Sequence, residues 1–256
     1  MKPDVTIITP GGDRPWSFNL IRNYLFRQTF PGTMQWLVIS DSQNQKPYEQ
    51  IWLQFACSND KRFIEGEMHQ LPYDPDMVGP QSLAQNLLWG LSKAKGEIIV
   101  ICEDDDWYGP EHVKECVNHL AADKIKATGT IWQRYYHLPS LSHRTYKNVG
   151  SALCSTAFHW DLIPQLAASA RWCGEKNRKG IDRRFWDSLE PEWKDIFEPK
   201  KNQVIGMKGL PGRFGIGIGH QPRAFIADPN ASMLREWVGI DANRYLNLRS
   251  QHNETT

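Results

Sequence analysis

The feature that most limits what this chain can fold into is the run Ile98-Ile-Val-Ile-Cys-Glu-Asp-Asp-Asp-Trp107, where five β-prone apolar residues lead straight into four carboxylates. A short continuous apolar run reads as a buried strand, as in a parallel sheet. Four acids cannot stay inside such a sheet, because an unpaired buried charge costs too much. Glu103, Asp104, Asp105 and Asp106 are therefore expected just past the strand's carboxyl end, where open α/β sheets collect their ligands. Their mutual repulsion calls for a cation, and a divalent ion that takes oxygen ligands, Mg²⁺ or Mn²⁺, is the candidate. The plainer alternative is a solvated turn leading into a helix over Glu111–Ala121.

The residues before this run alternate between strand and helix signals. Val5–Thr9 is β-branched and stops at Pro10-Gly11-Gly12. Trp16–Arg27 carries Phe18, Ile21 and Leu25 at helical spacing, and Pro31-Gly32 breaks it. Trp36–Ile39 predicts a second strand, ending at Ser40-Asp41-Ser42, and Pro47–Phe55 a second helix. Arg62–Ile64 or Met68–Leu71 is expected as an edge strand, and the prolines and aspartates of 72–80 as a loop. Ser82–Ala94 places Leu83, Leu87, Leu88 and Leu91 on one face, with Gly96 read as its C-cap. The order β-α-β-α-β-α-β predicts a mostly parallel α/β sheet with right-handed crossovers. The second half is less regular. It predicts strands over Thr128–His137 and Gln203–Met207, helices over Leu162–Ala170 and Asp182–Leu189, and a strand or bend over Tyr146–Ala157. Gly206–Gly219 holds six glycines, with His220 directly after, and the tail from Arg223 is partly helical.

Composition removes several function classes. The formal charge is +1, so bulk electrostatics names no polyanionic partner. The five cysteines form no C-x-x-C pair, which argues against a disulfide framework or a zinc site and fits a reducing cytosol. No apolar run has the length of a membrane span, and Met-Lys-Pro-Asp does not start a signal peptide, so a soluble cytoplasmic protein is expected. Gly215-x-Gly217-x-Gly219 is not the dinucleotide fingerprint and no G-K-[ST] occurs.

Four blocks in order make the chain resemble the family 2 glycosyltransferases of the GT-A fold. Thr9-Pro-Gly-Gly-Asp-Arg14-Pro15 resembles the family's Thr-x-x-Arg-Pro, with a small insertion. Ser40-Asp41-Ser42-Gln43 stands where the family has Asp-Asp-Gly-Ser. Ala84-Gln85-Asn86 followed by Lys95-Gly96-Glu97 resembles its Ala-Arg-Asn and Lys-Gly-Glu. Glu103-Asp104-Asp105-Asp106-Trp107-Tyr-Gly-Pro110 resembles its metal motif, Asp-x-Asp-Asp-x-x-x-Pro. The departures are Ser40, Gln85 and Glu103.

The resemblance implies one GT-A domain over 1–256. Residues 1–110 would form the nucleotide-sugar half, 111–220 the acceptor half and 221–256 a tail. It implies a nucleoside-diphosphate sugar donor, with a uridine diphosphate expected, and a metal held by Asp105, Asp106 and Glu103. His220 would complete that site. Thr9, Pro10, Arg14, Asp41, Asn86, Asp104 and Trp107 would line the donor. Gly150-Ser-Ala152 and Gly180-Ile-Asp182 resemble the acceptor segment and the base motif, with Ile181 in place of a glutamate. Asp182 would deprotonate the acceptor for in-line, inverting transfer. Glu175 is the rival base, and an N-cap is the structural alternative for Asp182. Trp107 and Trp186 are expected near ligand, and Trp132, Tyr135 and Tyr136 as packing or a wall of the acceptor cleft.

The acceptor is expected to be a glycan or, if Arg235, Arg244 and Arg249 meet phosphates, a hydroxymethylated DNA base of the phage type. Two other classes share the fold: nucleotidyltransferases and binding modules without turnover. The sequence assigns no oligomeric state.

Overall fold

The computed structural model describes residues 1–77, 79–148, 150–210 and 221–255. The first half alternates as its pattern requires: β1 Val5–Gly11, α1 Pro15–Phe26, β2 Met34–Ser40, α2 Lys46–Ala56, β3 Phe63–Gln70, α3 Pro80–Lys93 and β4 Ile98–Ile101. Then come β5 Trp107–Tyr108, α4 His112–Leu120, β6 Ala127–Thr130, β7 Trp132–His137, β8 Ser142–Lys147, β9 Thr156–His159, α5 Ile163–Glu175 and α6 Ile181–Asp187. The chain ends with β10 Lys194–Phe197, β11 Val204–Lys208, β12 Ile226–Ala227, α7 Ser232–Val238 and α8 Ala242–Thr255.

Seven strands form the main sheet in the order β10-β6-β9-β4-β1-β2-β3. All pairings are parallel except those of β9, which runs against both β4 and β6. The apolar runs of β1, β2 and β4 are buried on both faces because a helical layer covers each side. Val5, Ile7, Trp36, Val38 and Val100 point toward Phe18, Ile21, Tyr48 and the tail residues Leu234 and Trp237. Ile8, Leu37, Ile39, Ile99 and Ile101 point toward Leu87 and Leu91 of α3, Leu166 of α5 and Phe185 of α6. Among the described residues no helix is long and apolar enough to cross a membrane.

Several expectations change. The edge strand is one continuous β3 spanning both candidate segments, half-exposed as an edge should be. Gly96 does not cap α3, which ends in the extended Ala94. It lies against β1 instead: a Cβ there would stand 2.4 Å from the Thr6 backbone nitrogen, and its N–H donates to Thr6 Oγ1 at 2.8 Å. The single strand read over Thr128–His137 is two strands in two sheets. β6 completes the main sheet, whereas β7 joins a second sheet in the order β12-β8-β7-β11-β5. The stretch from Tyr146 holds the end of β8, a short 3₁₀ turn at Leu153–Ser155 and the start of β9.

Candidate functional site

The carboxyl ends of β1, β2 and β4 meet at one rim, and α3 is hooked to it by polar side chains. Asn86 Nδ2 donates to the Gly11 carbonyl at 2.9 Å and to Asp41 Oδ1 at 3.3 Å, while Ser82 Oγ donates to Asp41 Oδ2 at 2.7 Å. Asp41 is thus buried and tied to the helix. Asn86 Oδ1 is buried with no partner, an open acceptor beside the ends of β1 and β2. Thr9 points into the core and accepts from Trp36 Nε1 at 3.0 Å, so only the backbone of Pro10 and Gly11 faces the rim side of β1.

Arg14 follows β1 and turns back over the acids. Its Nη2 lies 2.7 Å from Asp104 Oδ1, its Nε 3.4 Å from Asp104 Oδ2 and its Nη1 3.0 Å from Asp105 Oδ2. Burial alone would pull the guanidinium down, but Asp104 and Asp105 outweigh it and raise it above its ordinary value. Asp104, 1 % exposed, also accepts from Ser17 Oγ at 3.1 Å.

Asp106 points the other way. Its Oδ1 accepts from the Met207 N–H at 3.0 Å and from Lys208 Nζ at 2.9 Å, and its Oδ2 is buried without a partner. Lys208 also lies 3.8 Å from Asp105 Oδ2. Burial, then repulsion from Asp105 and Asp106 among others, sets the acidity here. The Glu103 carboxyl is pushed up to about 8 by burial and next by Asp106. Asp106 is pushed up to about 6 by burial, with Lys208 opposing and Asp105 adding to the rise.

β9 runs against β4, so its amino end lies beside the carboxyl end of β4 and brings Cys154 to the rim. Ligand atoms of Glu103, Asp106 and Cys154 lie within 4.8 Å of one another. Two carboxylates, one with a free buried oxygen, fit a hard, oxygen-preferring cation such as Mg²⁺ or Mn²⁺. Burial raises the Cys154 thiol well above its ordinary value, so it borders the cluster as a neutral, softer group.

The two base candidates separate. Asp182 sits in the first turn of α6, behind Gly180 at φ +102°, where its Oδ1 accepts the Arg183 N–H at 2.8 Å. Burial raises its pKa above the ordinary carboxylate value, and its charge is felt by both Glu103 and Tyr146. Glu175, at the exposed end of α5, lines a separate groove of about 770 Å³ with Gln85, Trp89, Asp74 and Arg171. Gln85 therefore lies on the face of α3 away from Asn86.

The aromatic residues divide as well. Trp107 is 7 % exposed, donates to Asp241 Oδ2 at 2.9 Å and packs edge-on against Tyr24, which is core packing and not a ligand wall. Trp186 is equally enclosed, against Gly150 and Thr156. Tyr136 is core and donates to Asp228 at 3.0 Å, while Trp132 donates to Glu198 at 2.8 Å near the surface. Tyr135 and Tyr146 do face the cluster: their rings are 5.9 Å apart, Tyr135 lies over Gly206, and Arg144 stacks on Tyr146. His220 and most of its glycine loop, 211–220, lie outside the described residues.

Sequence reasoning missed Lys208 and Cys154. The signal for Lys208 was present: a single charge ending the apolar run Val204-Ile-Gly-Met, just as the acids end β4. Nothing in the sequence marks Cys154.

The sequence model of glycosyl transferase family 2 matches residues 79–171, from the start of α3 through the acids into α5. No curated protein matches the chain in sequence. Among solved structures, the chain is similar to S. aureus TarS 1–349 in complex with UDP. The two are 15% identical with a TM-score of 0.56, over 81% of this chain and 60% of that one. It is also similar to the mannosyltransferase PcManGT from Pyrobaculum calidifontis in complex with GDP-Man and Mn²⁺. There the identity is 13% and the TM-score 0.56, over 100% of this chain and 75% of that one. The chain thus spans about 60% of the TarS fragment it matches.

Proposed function

We propose that this family 2-like glycosyltransferase of the GT-A fold moves a sugar from a nucleoside diphosphate, uridine diphosphate first among them, to an acceptor hydroxyl with inversion. The observation that carries the reading is the rim itself. The free Asp106 oxygen and Glu103 stand at the carboxyl end of β4, on the same sheet edge as the open Asn86 acceptor beside β1 and β2. TarS with UDP and PcManGT with GDP-Man and Mn²⁺ share the fold, and this supports the donor class and a divalent ion.

Asn86 Oδ1 would receive a hydroxyl or N–H of the nucleotide, with Asp41 behind it fixing the amide's orientation. The Pro10–Gly11 backbone would pack on the nucleotide, and Arg14 would stand at the diphosphate end, its fork held in place by Asp104. Glu103, Asp106 and Asp105 would hold Mg²⁺ or Mn²⁺, with His220 as a further ligand. The bound ion supplies Lewis-acid stabilisation of negative charge on the leaving diphosphate. Asp182 takes the proton of the acceptor hydroxyl. The acceptor oxygen then bonds to the anomeric carbon, the carbon–phosphate oxygen bond breaks, and its electron pair leaves with the nucleoside diphosphate. One base and in-line attack give inversion.

A glycan is the favoured acceptor over a hydroxymethylated DNA base. Tail arginines that would meet phosphates are engaged within the chain. Arg244 lies 3.8 Å from Asp241, while Arg235 and Arg249 donate to backbone carbonyls. On this reading 1–110 serve the donor and 111–220 the acceptor.

The test incubates the protein and Mn²⁺ with a panel of UDP- and GDP-sugars and oligosaccharide or hydroxymethylated DNA acceptors. Release of a nucleoside diphosphate with sugar on the oligosaccharide is expected. Pyrophosphate release would make the chain a nucleotidyltransferase, and binding without turnover a module.

A further inference from the structure

Lys208 is the one cation among the described residues that bonds Asp106, and nothing so far explains why a lysine stands there. Its side chain is 10% exposed and that of Asp106 fully enclosed, so the charges meet with little screening from water. The lysine holds Oδ1 of Asp106, while the vacant Oδ2 belongs to the same carboxylate. A divalent ion joining Oδ2 to Glu103 would face the ammonium across that one carboxylate, a few ångströms away, and like charges so close in a buried site repel strongly.

The lysine's backbone cannot retreat. Lys208 pairs with His137 in the second sheet, and Gly209 after it adopts φ +74°, so close to Pro139 that a Cβ would lie 2.6 Å from its Cδ. Relief has to come from the side chain, which has four rotatable bonds and the Tyr135 face 5.7 Å away.

We propose that Lys208 is a resident cation of the acid cluster, which a divalent ion displaces from Asp106 and which a nucleoside diphosphate then accepts on its oxygens. The inference rests on the metal-dependent reading above. In the donor-free protein the lysine keeps the ion weakly bound. The diphosphate relieves the competition by offering the ammonium another anion, so nucleotide and ion enter together.

The test titrates Mn²⁺ into the metal-stripped full chain by calorimetry, with and without UDP, for wild type, Lys208→Gln and Lys208→Arg. Without UDP, Lys208→Gln should bind Mn²⁺ about tenfold tighter than wild type, within the usual range of coupling between sites. Lys208→Arg should stay close to wild type, and UDP should tighten Mn²⁺ more in wild type than in Lys208→Gln. Equal or weaker binding by Lys208→Gln overturns the inference and leaves the glycosyltransferase reading standing. No Mn²⁺ binding by any of the three, even with UDP, removes the metal-dependent reading and the inference with it. Wild type alone supplies a second measurement. Acetic anhydride should modify Lys208 faster once Mn²⁺ is bound, and an unchanged slow rate overturns displacement.

Discussion

Asp182 stands half-buried in the first turn of a helix, close enough for its charge to act on Glu103, while Glu175 ends α5 in open solvent on an outer groove. Enclosure raises the affinity of Asp182 for a proton, which suits a group that must take one from a hydroxyl. Asp182→Asn should therefore bind UDP within twofold of wild type and lose about 10²–10⁴ of its transfer rate. Glu175→Gln should change neither. Calorimetry and the transfer assay check both, and full activity in Asp182→Asn removes it from the reaction. At this scale the acids were legible because four carboxylates cannot follow an apolar strand inward. Arg14 was legible only as a residue near phosphates. That it clamps Asp104 from 90 positions away is a product of the fold. Trp107 misled for a physical reason: the side chain after an acidic run can point to either face, and its indole found Asp241 in the tail.

Close approach between elements sets the geometry of the rim. β4 begins where Gly96 lies on the backbone of β1, and α3 closes on the sheet where Gly90 meets Ile8. A Cβ at Gly90 would stand 2.6 Å from Ile8 Cγ2 and one at Gly96 2.4 Å from a backbone nitrogen. A side chain can repack, but a strand backbone bonded on both sides cannot. Gly96→Ala should thus cost about 3 kcal/mol, the upper end for overpacking, and Gly90→Ala less, since alanine also regains about 1 kcal/mol of helix propensity. Urea unfolding of the two variants checks the order. The central strands β1, β2 and β4 were readable because each is a short buried run rich in β-branched and apolar residues, whereas the polar edge strand β3 showed only as two fragments. Thr128–His137 was not, since aromatics fall on both faces of β7 and no breaker marks Ile131, where the chain leaves one sheet for the other. β9, only Thr-Ala-Phe-His, is too short and mixed to announce that it runs backward.

Acid stability belongs to the molecule as a whole. His112 is fully buried at the start of α4, and burial lowers its pKa from 6.5 to about 4. The unfolded chain therefore binds a proton that the folded one refuses between those values. Stability is complete above pH 6.5 and falls as the pH drops toward 4, by about 3 kcal/mol from this residue alone. His112→Phe should remove that part of the slope. The gap in unfolding free energy between wild type and variant should change by this amount between pH 7 and 4, and a constant gap would show that His112 is not the cause.

The chain leaves the main sheet at Thr130, makes the β7–β8 hairpin, closes its base where the Asn148 N–H meets the Ile131 carbonyl at 3.1 Å, and returns as β9. Both feet of this excursion stand on the ligand rim. The aromatic residues on its two strands can change without re-registering any of the seven strands beneath. On the proposed reading, the scaffold can be re-tooled for a new acceptor by editing one hairpin, while the nucleotide end of the rim at β1 and β2 stays fixed.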